Sequence, residues 1–326
     1  MRAVVYDRFG PPEVLRVDEV PEPVPRAHEL KVEVLAASLN PLDWKIREGH
    51  LRLLPMFARP PRITGCDFAG RVVGVGGGAG PRHVGERVFG SLLPFGRAGS
   101  CAQMLVVAAD RVAPVPAAVD DACAASLPTA GGTAVQALVD DASVQAGHRI
   151  LITGAAGGVG HFAVQLARHL GAEVIATCST ANVDFVRGLG AHEVIDYTND
   201  DWMQRIGRGF DLVLDVADVL GWRRAHPLLN RGGRYIGTGG SAATALAAAA
   251  SSVVAPWYGM RAGVFVLKGG GAMASRLAEL ACRNAIVPHI ASRIPLEDVV
   301  HAQRAMQTGH GRGKIVVLPR SDADRP

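Results

Sequence analysis

The chain has 326 residues, a formal net charge of +4, 48% hydrophobic residues and 20% charged residues. Such a length allows two domains with a large core, and such a composition excludes a disordered chain. The scattered basic residues exclude a nucleic-acid arm, the strand-like start MRAVVYDRFG is no signal peptide, and the alanine-rich SAATALAAAASSVVAPW is too short and too weakly apolar for a membrane span.

From residue 1 to about 120, short β-type runs dominate: RAVVYD, LKVEVLAASLN, FAGRVVGVG, ERVFGSL and QMLVVAADRVAPVP. Proline- and glycine-rich turns such as FGPPE, VPEPVPRA and VGGGAGPRH separate them, which predicts a compact β-barrel-like domain. The proline-marked VAPVPAAVDDACAASLP leads to a second domain through a helix near Asp120–Ser126, and a further helix is predicted over TAVQALVDDASV. Five cysteines (Cys66, Cys101, Cys123, Cys178, Cys282) have no paired spacing and read as reduced thiols of a cytoplasmic protein.

The stretch ILITGAAGGVG, Ile150–Gly160, begins as a buried strand and turns through Gly154, Gly157, Gly158 and Gly160. The segment after it carries apolar residues at Val159, Phe162, Ala163, Leu166, Ala167 and Leu170, which is helical spacing. Strand, glycine turn and helix form the dinucleotide-binding arrangement: the backbone approaches a pyrophosphate, and N–H groups with the helix dipole hold its charge. Aligned on Gly157 and Gly160, the usual first glycine of G-x-G-x-x-G is Ala155, with Gly154 one place earlier. Alone, the turn fits a plain strand–helix connection equally well. The runs HLGAEVIATC, FVRGLGAHEVIDY, FDLVLDVA and GRYIGTGG decide for the nucleotide site, since strands alternating with helices make a parallel sheet covered on both faces. This core spans roughly residues 125 to 265. The apolar strand GVFVL follows, then a helix over GGGAMASRLAELACRNA with apolar positions at Leu277, Leu280 and Ala281, and a closing strand in GRGKIVVLP expected to rejoin the first domain.

At this point the chain resembles the medium-chain dehydrogenase/reductase superfamily, in the zinc-independent quinone oxidoreductase branch that includes zeta-crystallin. The blocks that carry the resemblance are ASLNPLDWKIREG (Ala37–Gly49), GCDFAGRVVGVG (Gly65–Gly76), SLPTAGGTAVQAL (Ser126–Leu138), ITGAAGGVGHFAVQLAR (Ile152–Arg168), GAHEVIDY (Gly190–Tyr197) and GHGRGKIVVL (Gly309–Leu318). Each is modest; all six in this order are specific. The resemblance implies an α/β protein: a GroES-like β-barrel catalytic domain over 1–124, completed by 268–326, and a Rossmann doubly wound parallel sheet over 125–267, with a cleft between them and NADPH as cofactor. It also implies a homodimer through the GVFVL edge, in keeping with the tendency of exposed edges to pair.

A zinc is expected to be absent. Zinc-dependent relatives place a Cys where this chain has Asn40 and a Gly-His-Glu where it has Gly65-Cys66-Asp67, and only Cys101 lies in the region where relatives carry four cysteines. Cys66 then reads as a packed core thiol.

NAD-preferring sites carry an acidic residue about 20 residues past the glycine turn. Here the sequence is Thr177-Cys178-Ser179-Thr180-Ala181-Asn182, without a carboxylate, so Ser179, Asn182 and Tyr197 are expected to read a 2′-phosphate. The resemblance places Gly154, Ala156, Gly157, Gly158, Val159 and Gly160 at the pyrophosphate, and Thr129, Thr133, Val216, Thr238, Phe265 and Val266 along the cofactor. Arg312 and Lys314 match a tail that relatives fold over the phosphates, or else mark a solvated strand end.

Reducing a conjugated enone or quinone needs a donor at the carbonyl oxygen, where charge develops. Asn40, Asp43 and Lys45 lie on the segment that relatives place in the cleft: Asn40 as an amide donor, Lys45 to stabilise an enolate, Asp43 in the site or as the residue that orders the loop. Thr129 and Thr133 fit either the nicotinamide site or helix capping. His50 is a proton source or a surface-loop histidine. The function expected is NADPH-dependent reduction of a small quinone or enone. A biosynthetic ketone or enoyl reductase, or a non-catalytic NADPH-binding module, are the competing readings.

Overall fold

The computed structural model describes residues 1–52, 59–60, 62–92, 96–199, 201–238, 250, 253–264, 267–309 and 311–320. In chain order its first part comprises β1 (Arg2–Tyr6), β2 (Arg16–Glu19), β3 (Glu29–Ser38), α1 (Pro41–Arg47), β4 (Arg62–Ile63), β5 (Asp67–Val75), β6 (Arg87–Ser91), β7 (Met104–Ala108), β8 (Val112–Pro114), α2 (Asp121–Ser126) and α3 (Pro128–Val135). Then come β9 (Arg149–Thr153), α4 (Gly160–His169), β10 (Glu173–Cys178), α5 (Val183–Gly188), β11 (Glu193–Asp196), α6 (Trp202–Arg205), β12 (Phe210–Asp215), α7 (Gly221–Ala225), β13 (Leu229–Gly237) and β14 (Arg261–Val264). The last elements are α8 (Gly271–Cys282), β15 (Ile290–Pro295), α9 (Val299–Gln307) and β16 (Lys314–Leu318).

These elements form two compact units, residues 1–132, 268–284 and 288–326 in one, and 133–267 with 285–287 in the other. The division falls after Gly132, later than the 124/125 boundary expected, because α2 packs on β3 and β5 of the first unit.

The first unit is built on β3. Along Glu29–Ser38, Leu30, Val32, Val34 and Ala36 are fully buried while Lys31 and Glu33 between them stay partly exposed, the period of a half-buried strand. β3 joins β5, β7 and β16 in one sheet, ordered β15-β16-β3-β5-β6-β8 with β7 also on β3, and a smaller sheet runs β2-β1-β4. The closing strand β16 pairs antiparallel with β3 (Val316 opposite Ser38), which carries Lys314 to the end of β3.

The second unit is a parallel sheet ordered β11-β10-β9-β12-β13-β14. Its central strand β9 has Ile150, Leu151 and Ile152 all at 0% exposure, so both faces are covered and the run lacks alternation. Three sequence expectations shift. α3 passes into a π-helical turn at Gln136–Asp141 before the predicted helix end. α8 buries Met273, Ala274 and Leu277, leaving Leu280 and Ala281 partly exposed. The strand expected over GVFVL begins earlier, at Arg261.

Candidate active site

In the first unit a buried polar cluster forms around Asp67, where β5 begins beside the end of β3. Leaving β3, the chain extends at Asn40 and enters α1 with Pro41 in the first helical position, where its fixed φ fits and no N–H is missed. The Asp43 carboxylate turns back to accept the Asn40 N–H at 2.7 Å, as in a capping box. Asn40 Nδ2 donates to Asp67 Oδ2 at 2.9 Å and toward the Ser38 carbonyl at 3.4 Å. Its Oδ1 accepts from Lys314 Nζ at 2.6 Å, and the same ammonium donates to the Leu39 carbonyl at 2.9 Å. Asp67 takes two more bonds from the start of α3: the Thr129 N–H at 3.1 Å and Thr129 Oγ1 at 2.6 Å. An anion there also meets the positive end of the helix.

Asn40, Asp43, Asp67 and Lys314 are all 3% exposed or less. Asn40 bridges the Asp67 carboxylate, to which its Nδ2 donates, and the Lys314 ammonium, which donates to its Oδ1. Burial pushes Asp43 up to about 7 and nearby Asp67 adds to this, while the Asn40 N–H, Lys314 and the Cys66 thiol pull it back. Burial likewise lowers Lys314, against the pull of Asp67 and Asp43. Burial, with both carboxylates near, drives the Cys66 thiol well above its ordinary range, so it is a protonated core thiol. Tyr6, arriving from β1, is buried against this group and pushed up to about 12 by desolvation.

In the second unit the glycine turn follows β9. Gly154 has φ +63°, a left-handed conformation that favours glycine. A Cβ on Gly160 would lie 2.1 Å from the Gly154 carbonyl oxygen, so α4 starts against the turn with no room for a side chain. The turn is held from two sides, by the Ala155 N–H to the Thr177 carbonyl at 3.1 Å and by Gly157 N–H to Gly154 carbonyl at 3.0 Å. Beside it, the loop after β12 is wound around Asp215. That fully buried carboxylate accepts Thr153 Oγ1 (2.7 Å), the N–H groups of Val219, Leu220 and Gly221 (3.1, 3.0 and 3.0 Å) and the Tyr235 hydroxyl (3.2 Å).

The structure brings several expected residues together and moves others. Val216 and Thr238 meet, Thr238 Oγ1 donating toward the Val216 carbonyl at 3.4 Å at the ends of β12 and β13. Ser179 and Asn182 are bonded to each other, Nδ2 to Oγ at 3.0 Å, and the Tyr197 N–H ties β11 to the Cys178 carbonyl at 3.0 Å. Thr133 is buried in α3. Arg312 is exposed; burial lowers the pKa of His289, and nearby Arg312 adds to this.

Three readings are corrected. Lys314 is neither a phosphate ligand nor a solvated strand end, because its ammonium is buried on Asn40 and Leu39. The Asn40 amide is not aimed at a substrate, because its donors go to Asp67 and Ser38. Thr129 spends its hydroxyl proton on Asp67. The Lys45 ammonium stands 5.7 Å from the Trp44 ring centre, and His50 is an exposed partner of Glu48 at 3.3 Å. Phe265 and Val266 lie outside the described residues. Asp67 and Asp215, the hubs of the two units, were missed as such; the only signal was a carboxylate at one end of a largely apolar strand.

A parallel sheet with a glycine turn in one unit, and a β-rich unit with a buried polar core in the same chain, define a dinucleotide-dependent oxidoreductase. Residues 26–117 match the alcohol dehydrogenase GroES-like domain, and residues 189–317 match the zinc-binding dehydrogenase family. The chloroplastic quinone oxidoreductase QR1 of Triphysaria versicolor is 35% identical over 329 residues, covering 98% of each chain. The chloroplastic NADPH-dependent alkenal/one oxidoreductase of Arabidopsis thaliana is 30% identical, covering 98% of this chain and 80% of its own. The Escherichia coli quinone oxidoreductase solved with NADPH superposes with a TM-score of 0.85 at 26% identity, over 98% of this chain and 100% of that one. The chain belongs to the medium-chain dehydrogenase/reductase superfamily, in its quinone oxidoreductase branch.

A zinc does not fit the donors present. At Asn40, Cys66 and Asp67 an ammonium already supplies the positive charge, and the thiol is held protonated. Among the described residues no three His, Cys, Asp or Glu side chains gather in a metal-holding group. A dinucleotide does fit the second unit, where the turn at Gly154–Gly160 leaves backbone where side chains would stand.

Proposed function

We propose that this protein is a zinc-independent, NADPH-dependent oxidoreductase acting on quinones or α,β-unsaturated carbonyl compounds. The observation that carries the reading is the Gly154–Gly160 turn at the end of β9, with no carboxylate on the neighbouring strand end at Cys178-Ser179. The relatives named for quinone and alkenal/one reduction support the substrate class. When bound, NADPH supplies the hydride. The chain holds the pyrophosphate on the turn and the α4 N-terminus, orients the nicotinamide end with Val216 and Thr238, and meets the 2′-phosphate with Ser179, Asn182 and Tyr197.

Asn40, Asp43 and Lys314 act as the frame of the catalytic loop. Lys45, next along α1, is the candidate to stabilise the developing oxyanion. Replacing it with Met is expected to lower kcat by about tenfold or more while leaving NADPH binding intact. The test of the whole reading is NADPH oxidation with a panel of quinones and enones, against NADH. Turnover with NADPH above NADH supports it; NADPH binding without turnover on any member would make the protein a non-catalytic binding module.

We also infer a homodimer through β14. That strand is the last in the sheet order, and Trp257, in the 3-10 turn Ala255–Tyr258 that packs against it, is 86% exposed. Five free cysteines support a reducing compartment such as the cytoplasm. Among the described residues no helix is long and apolar enough to cross a membrane.

A further inference from the structure

The loop expected to read the 2′-phosphate has no carboxylate of its own, yet the structure brings one to it from the next strand. Cys178 ends β10 directly in register with Asp196, the last residue of β11. Adjacent strands stand about 4.8 Å apart, so Asp196 lies one strand from the position where NAD-preferring sites carry their acidic residue. Its side chain is bonded into the ribose loop: Thr180 Oγ1 donates to Asp196 Oδ2 at 2.6 Å. Asp196 Oδ1 accepts both the N–H and the hydroxyl of Thr198, at 2.9 and 2.7 Å, and Asn199 Nδ2 reaches Oδ2 at 3.2 Å. The two threonine hydroxyls sit 2.6 Å apart. These bonds, from Thr180 first and then Thr198, hold the carboxyl below its usual range, and Arg205 adds to this.

We propose that Asp196 is a specificity-determining residue that restrains the preference of this site for NADPH over NADH. The inference rests on the NADPH reading above and concerns how strongly that site discriminates. Two effects act together. The carboxylate stays ionised beside a loop that must accept a phosphate carrying about −1.5 to −2 charges, and like charges repel. It also draws the hydroxyl of Thr180, the residue after Ser179, into a network with Thr198, so that hydroxyl is withdrawn from a phosphate oxygen. The 2′-hydroxyl of NADH brings no such charge and is insensitive to the first effect.

The test is binding, independent of turnover. Dissociation constants for NADP⁺ and NAD⁺, and for the fragments adenosine 2′,5′-bisphosphate and 5′-AMP, are measured by calorimetry on the wild-type protein and on Asp196→Asn and Thr180→Val. Asn is isosteric and keeps an acceptor for the Thr198 N–H. Asp196→Asn is expected to tighten NADP⁺ and the bisphosphate about three- to tenfold and to change NAD⁺ and 5′-AMP by less than about twofold. Thr180→Val, which keeps the charge, is expected to give no tightening of NADP⁺. Equal weakening of both dinucleotides in Asp196→Asn, the result of a merely structural role, would overturn the proposal, as would an unchanged ratio. Should Asp196→Asn fail to fold, Asp196→Ser gives the same readout with water in the carboxylate's place. Wild-type protein that bound neither dinucleotide would overturn the NADPH reading together with this one, whereas normal NADP⁺ binding with an unchanged ratio defeats this one alone.

Discussion

Lys314 shows how one residue changes meaning between sequence and fold. At the head of an apolar strand, after two glycines and an arginine, a lysine reads as a solvated end or a phosphate ligand. Its partner Asn40 is 274 residues away, and only the pairing of β16 with β3 brings them within 2.6 Å. Removing the donor of a buried hydrogen bond leaves its acceptor unsatisfied, which costs about 1–3 kcal/mol. Lys314→Met is expected to lose about 1–3 kcal/mol in denaturant unfolding, from the buried Leu39 carbonyl and Asn40 Oδ1 left without their donor; an unchanged midpoint would show that these acceptors find another donor. Asp43 gives a pH-dependent prediction. Its pKa rises from 3.8 to about 7 on folding, so the folded state holds the proton more tightly than the unfolded one. The stability this contributes is full below about pH 4 and is lost as pH rises through 7, at up to about 1.4 kcal/mol per pH unit. Between pH 5 and 7, Asp43→Asn should gain on the wild type by about 1 kcal/mol per unit; parallel stability curves would mean Asp43 is ionised in the fold.

Among the elements, the β9–turn–α4 unit was legible because its signals are local. The apolar run, the glycines and the 3.6-residue spacing of Phe162, Ala163, Leu166 and Ala167 lie within one short stretch, and each of these four is buried. The start of α3 was legible only as a pair of options for Thr129, nicotinamide neighbour or cap. The carboxylate that receives its hydroxyl and its N–H is Asp67, 62 residues earlier. The same separation divides Thr153 from Asp215, and no periodicity reports contacts of that kind. The turn carries its own test. Gly160→Ala puts a methyl carbon 2.1 Å from the Gly154 carbonyl unless the turn opens. NADPH affinity is expected to fall by about tenfold or more in a fluorescence titration. Retained affinity would place the pyrophosphate elsewhere.

For the whole molecule, strand-rich ends around an alternating centre gave the two-unit plan, while the boundary moved because α2 packs on β3 and β5. A homodimer is predicted by light scattering, and Trp257→Glu, at a residue 86% exposed beside the sheet edge, is expected to shift it toward monomer. A monomeric wild type would leave β14 an open edge. The central claim is that a site framed by Asn40, Asp43 and the buried Lys314 ammonium supports NADPH-dependent reduction without a metal. The direct measurement is NADPH oxidation by a quinone or enone with enzyme stripped by chelator and checked for metal content. Unchanged kcat/KM with no stoichiometric zinc is the predicted result; activity lost on chelation and restored by added zinc would contradict it.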